Sequence, residues 1–129
     1  MIVGLKTDSP TCELTFVYEN GERYAHAWKA DRELAKGLLS YIEQQLETQA
    51  KDWDDIKGLV VFKGPGSFTG LRIGITVMNA IAYASDLPIV GGDGKDWLEH
   101  GVERLQKGDN DKIVLPEYGA EPHITKPRK

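Results

Sequence analysis

The spacing of apolar residues changes period repeatedly along this chain, and each change marks an element. Residues 2–5 form a short continuous apolar run, the pattern of a buried strand. Residues 12–18 alternate, with Leu14, Phe16 and Tyr18 on one face, so the first two strands are expected to pair directly. Asn20-Gly21 is expected to supply the positive φ angles of a tight hairpin turn, after which residues 23–29 continue as a third strand with Tyr24 and Trp28 in step. From about Asp31 the period becomes helical. Leu34, Leu38, Ile42 and Leu46 share one stripe, flanked by Ala35, Leu39 and Tyr41, while Glu43, Gln44 and Glu47 face water. Gly37 interrupts this helix at a cost of about 1 kcal/mol relative to alanine, either as a site of close backbone approach or as a tolerated defect.

Residues 48–56 read as a polar connection, and 58–62 as a strand covered on both faces. A glycine-rich loop (64–70), a helix (71–85) and a short strand (87–91) complete a βαβ crossover, which makes the last two strands parallel. The expected fold is therefore α/β, with a mixed five-stranded sheet in the order β-β-β-α-β-α-β. After it come a weak helix capped by Asp93, an apolar patch at 113–115, and a proline-bearing tail expected to be extended.

With 129 residues, one core is the natural expectation. The net charge of −4, from 20 acidic against 16 basic side chains, argues against a chain that grips a phosphate backbone unaided. The single cysteine, Cys12, excludes an intramolecular disulfide framework. His26, His100 and His123 offer no pair at metal-ligand spacing. The apolar start is too short for a signal-peptide core, and the run 73–84 is too short for a bilayer and broken by Thr76 and Asn79. A cytoplasmic protein is expected.

The segment Gly64-Pro65-Gly66-Ser67-Phe68-Thr69-Gly70-Leu71-Arg72-Ile73-Gly74 carries the most specific chemistry. No lysine lies between Lys63 and Lys95, which excludes a Walker A loop, and Thr69 occupies the place of the third glycine in the dinucleotide fingerprint. Backbone N–H groups at a helix start, with the Ser67 and Thr69 hydroxyls and Arg72, could hold an anion; a tight turn packing a helix on the sheet is the plainer alternative.

This undecapeptide, with the strand before it and the Leu87-Pro88-Ile89-Val90-Gly91 strand after it, resembles the signature region of the TsaB family. Fainter likeness extends to the first strand, the helix from Asp31 and the tail at Ile124-Thr125-Lys126-Pro127. The resemblance implies a single actin-like, ribonuclease H-like lobe over residues 1–92. It also implies a helix and strand remnant of a second lobe over 93–115 and an extended basic tail over 116–129, a short form lacking most of the second lobe. Lys6-Thr7-Asp8 stands where the family has an Asp-Thr-Ser turn facing phosphates and metal, which weakens any inherited nucleotide site.

The function implied is that of a non-catalytic accessory subunit. It binds and activates a TsaD-like catalytic subunit in threonylcarbamoyl modification of adenosine in tRNA, with a TsaE-like ATPase joining and tRNA engaged within the complex. No cofactor is expected on the chain alone; ATP or ADP and a metal ion would come through the partners. Gly64, Gly66, Ser67, Phe68, Thr69, Gly70 and Arg72 form a nucleotide-adjacent loop in this reading. Residues 71–85 are apolar or small on almost every face. On that ground Leu38, Tyr41, Ile42, Gly74, Ile75, Met78, Ile81 and Tyr83 are expected at a partner interface, with Gly70 and Gly74 admitting a second backbone; equally, the helix from Asp31 alone could cover them. Two other classes compete: a small nucleotide-binding enzyme of the actin-like superfamily, and a degenerate homologue that forms a homodimer.

Overall fold

Strand β1 (Ile2–Lys6) lies at the centre of the sheet, and its sequence explains why: Val3 and Leu5 are buried on one face, and Gly4 is buried on the other. The computed structural model describes residues 1–66 and 69–117. β1 pairs antiparallel with β2 (Thr11–Val17), which pairs antiparallel with β3 (Arg23–Lys29). On its other side β1 pairs in parallel with β4 (Gly58–Gly64), and β4 with β5 (Ile89–Asp93), giving the order β3-β2-β1-β4-β5. The expected α/β architecture and order of elements along the chain are those observed, and the parallel pairing of β1 with β4 joins the antiparallel and parallel parts.

The β2–β3 turn differs from expectation. Gly21 alone in that turn has a positive φ (92°), and Tyr18 both donates to the Glu22 carbonyl (2.8 Å) and accepts from the Gly21 N–H (2.9 Å). The loop is thus the three-residue type with glycine in the left-handed position, not a two-residue Asn-Gly turn. Asn20 serves instead through its side chain, whose Oδ1 accepts from the Glu22 N–H at 2.9 Å.

Helix α1 (Leu34–Thr48), entered through a 3-10 turn at Asp31–Glu33, and helix α2 (Thr69–Ser85) lie together on one face of the sheet. α1 buries Leu34, Leu38, Tyr41, Ile42, Gln45 and Leu46. Each such aliphatic side chain contributes about 1.5–3 kcal/mol when removed from water. The polar exception, Gln45, accepts from the Tyr24 hydroxyl at 2.9 Å. Gly37 is neither a backbone crossing nor a defect: a Cβ there would press on the indole of Trp28 at 3.0 Å, so the glycine seats that ring against α1.

Helix α3 (Trp97–Gln106) packs on the opposite face, over β4 and β5. Leu98 and Gly101 are its buried positions, and a side chain at Gly101 would overlap Val60. Helix α3 therefore covers a second, smaller apolar cluster, in which Leu98 meets Val17, Val60 and Val90. Residues 113–115, expected as a strand remnant, form no strand; only Val114 is buried. Most of the tail, from residue 118, lies outside the described residues. No helix among the described residues is long and apolar enough to cross a membrane.

Candidate functional site

Two neighbouring regions hold the residues singled out by the sequence: the mouth of the glycine loop, and the outer surface of α1 and α2. The loop leaves β4 at Gly64, whose φ of 126° only glycine adopts without strain, and passes through a cis Gly64–Pro65 bond. α2 starts at Thr69. Its first turn is clasped to the end of β1: Thr7, almost wholly buried, donates from Oγ1 to the Gly70 carbonyl at 2.7 Å. The space left open at Gly74 is filled by this chain's own Thr7.

Beside the clasp, Lys6 Nζ lies 2.6 Å from Asp8 Oδ1 and 4.6 Å from the centre of the Phe62 ring, so its charge is already matched within the chain. The Gly66 N–H, a donor an anion would need, is taken by the Glu117 carbonyl at 3.1 Å. Thr69 and Arg72 are exposed, while Ser67 and Phe68 lie outside the described residues. Among the described residues no group of three or more His, Cys, Asp or Glu side chains is placed to hold a metal ion. Among the described residues, the lysine is thus tied to its neighbouring carboxylate and one N–H of the loop is already bonded.

Most residues expected at a partner interface lie inside the domain. Leu38, Tyr41, Ile42, Gly74, Ile75 and Met78 are buried there, Met78 completely, whereas Ile81, though buried, lines a groove between α1 and α2. Of the eight positions only Tyr83 is open, at 91% exposure. The reason is physical: the most apolar stripe of each helix faces its own sheet and its neighbouring helix, and periodicity reports the stripe without saying what covers it.

What remains open is a different stripe. Leu39 (54% exposed), Trp53, Val77, Ala80 and Ala84 bound a groove of about 380 Å³ between α1 and α2. A second hollow of about 370 Å³, lined by Ala35, Thr69, Arg72 and Ile73, shares Thr76 and Val77 with the first and carries the groove to the start of α2. Trp53 escaped the sequence reading because it sits in the polar connection. There Asp52 and Asp55 cap a 3-10 turn reciprocally and present the indole to the groove. Leu39, directly after Leu38 and off the main stripe, was the available signal.

Away from the groove, Asp111 accepts two hydrogen bonds from the Arg104 guanidinium (2.6 and 3.1 Å), which hold its carboxyl below the usual range and raise the arginine.

Residues 28–93 match the family model described as TsaD, tRNA N6-adenosine threonylcarbamoyltransferase. The tRNA threonylcarbamoyladenosine biosynthesis protein TsaB of Escherichia coli (strain K12) is 32% identical over 111 residues, which are 81% of this chain and 47% of that protein. The tRNA N6-adenosine threonylcarbamoyltransferase of Koribacter versatilis (strain Ellin345) is 31% identical over 81 residues, 61% of this chain and 21% of that protein. Among solved structures, YeaZ from Pseudomonas aeruginosa superposes with a TM-score of 0.67 and 25% identity, covering 82% of this chain and 49% of that one. The chain spans about half the length of these TsaB-like relatives. Because the TsaB likeness runs through four fifths of the chain and the TsaD likeness through less, this chain belongs to the TsaB family, within the wider group that the TsaD model describes.

Proposed function

We propose that this chain is a non-catalytic accessory subunit in threonylcarbamoyl modification of adenosine in tRNA. It docks a TsaD-like catalytic subunit on the groove between α1 and α2. The observation that carries this reading is the open apolar groove between α1 and α2, bounded by exposed Leu39, Ala80 and Ala84 with half-buried Trp53 and Val77. Such a groove loses unfavourable hydration when another helix covers it. The names of the relatives supply the process, and the groove supplies the means. Nucleotide and metal ion then belong to the TsaD-like subunit and a TsaE-like ATPase, and tRNA is engaged across the assembly rather than by this acidic chain alone. The partner is a helix-bearing surface, because Thr76, Ala80 and Ala84 are small and spaced one turn apart, which lets a helix approach closely.

The test is to co-purify the chain with a TsaD-like subunit and repeat with Ala80→Arg, which fills the groove without touching the core. Loss of co-elution with an unchanged circular dichroism spectrum is expected. Retention of the complex by Ala80→Arg would place the contact elsewhere. A wild-type chain that pairs only with itself would favour a homodimer through the same groove.

A further inference from the structure

The polypeptide beyond α3 forms no strand, yet it closes the sheet. Positive φ angles at Gly108 (92°) and Lys112 (67°) turn it back along the free side of β5. There the edge of β5 is met mostly by side chains. The Ile89 N–H donates to Asn110 Oδ1 at 3.1 Å and the Gly91 N–H to Asp111 Oδ2 at 2.9 Å, while the Asp111 N–H donates to the Ile89 carbonyl at 2.8 Å. Arg104 of α3 fixes the same carboxylate from the other side. Asn79 of α2 then grips Val114 doubly. Its Nδ2 donates to the Val114 carbonyl and its Oδ1 accepts from the Val114 N–H, each at 2.9 Å. Finally the Glu117 N–H donates to the Lys63 carbonyl at 2.7 Å and the Glu117 carbonyl accepts from Gly66, so the segment ends on the glycine loop.

We propose that residues 107–117 are a releasable latch, keyed by Asn79 and Asp111, that holds the edge of β5 and the end of β4 through Gly66 as one unit. Two observations make it releasable. Of the three consecutive apolar residues only Val114 is buried, whereas Ile113 and Leu115 are 66% and 72% exposed, so little apolar surface holds the segment down. The remaining hold is polar and located at the edge, where local opening takes place far below the free energy of global unfolding. Its two ends make it a latch rather than a cover. One end is fixed to α3 through Arg104, the other to the loop that leads into α2, so release at Asn79 or Asp111 frees the donors of Ile89, Gly91 and Gly66 together. This control device stands independently of the docking groove.

Amide hydrogen exchange on the full chain tests it, comparing wild type with Asn79→Ala and Asp111→Ala, and with Glu99→Gln as a control that breaks only the exposed Arg23 ion pair. Both latch variants are expected to exchange at least about tenfold faster at Lys63–Gly66, at Ile89 and Gly91, and at 111–117 in concert, with β2 and β3 unchanged. The control is expected to match wild type. Faster exchange confined to 111–117 would overturn the proposal, leaving a passive cover, and so would a uniform rise throughout the chain. Should Asn79→Ala fail to fold, Asn79→Asp retains the acceptor for the Val114 N–H, loses the donor, and is read against the same outcomes.

Discussion

Thr7 occupies the space that any side chain at Gly74 would need: a Cβ on Gly74 would overlap the Thr7 hydroxyl, which is bonded to the Gly70 carbonyl. The pair welds the start of α2 to the end of β1. Thr7→Val keeps the shape and removes the donor, so it is expected to cost about 1–2 kcal/mol. Gly74→Ala must displace Thr7 and is expected to cost about 1–3 kcal/mol. Urea denaturation of the two variants measures both costs; equal stability of Gly74→Ala and wild type would show that the clasp yields freely.

Association and folding separate along α2. Val77→Glu is expected to leave a folded chain and weaken binding to a TsaD-like subunit by about ten- to a hundredfold, the equivalent of one buried aliphatic side chain. Met78→Glu, one residue on, puts a charge into the closed core and is expected to unfold the domain. Light scattering with thermal melts distinguishes the two.

Asp111 gives the acid limb of stability a local source. Its carboxyl is held below its ordinary value of 3.8, first by the Arg104 hydrogen bonds and, against the opposing cost of burial, by the Gly91 N–H. A group with a depressed folded pKa contributes stability that is fully present above the unfolded value and is lost as pH falls through the folded one. The pair is partly exposed, so its contribution is small and screened by salt. Asp111→Asn is expected to flatten the fall in melting temperature below about pH 4 and to lower it near neutrality.

Cys12 is buried on β2, and burial, with the adjacent Glu13 charge as the lesser cause, pushes its thiol up to about 12. It is expected to resist a thiol-exchange reagent at pH 8 and to react fully only in denaturant. Stoichiometric reaction of the native chain within minutes would contradict this.

The parts of the fold that were legible in the sequence have a period. Alternation in 12–18 and the stripe from Leu34 to Leu46 gave β2 and α1, and the apolar runs at 58–62 and 87–91 gave the parallel strands. Periodicity could not say which apolar residues of α2 stay open: Ile75 and Met78 are buried, while the open groove is lined by modest residues such as Ala80 and Thr76, whose exposure only the packing reveals. The latch had no signature at all. Asn79, Asn110 and Asp111 act by bonding backbone groups remote in sequence, and a polar residue inside a helix pattern looks the same whether it faces water or a distant carbonyl. Asn79 in particular read as a mere interruption of an apolar run.

The close seating of α3 also constrains how this domain can change over generations. Gly4 and Gly58 on the sheet face Leu98 and Leu105 on the helix, so any substitution at those glycines adds atoms where a leucine methyl already sits. The atom met in each case is the far end of a flexible leucine side chain. A Cβ at Gly58, 3.0 Å from Leu105, needs a shift of a few tenths of an ångström, whereas one at Gly4, 2.5 Å from Leu98 with Trp97 at 3.3 Å beside it, needs a larger one. Substitution is therefore better tolerated at Gly58 than at Gly4.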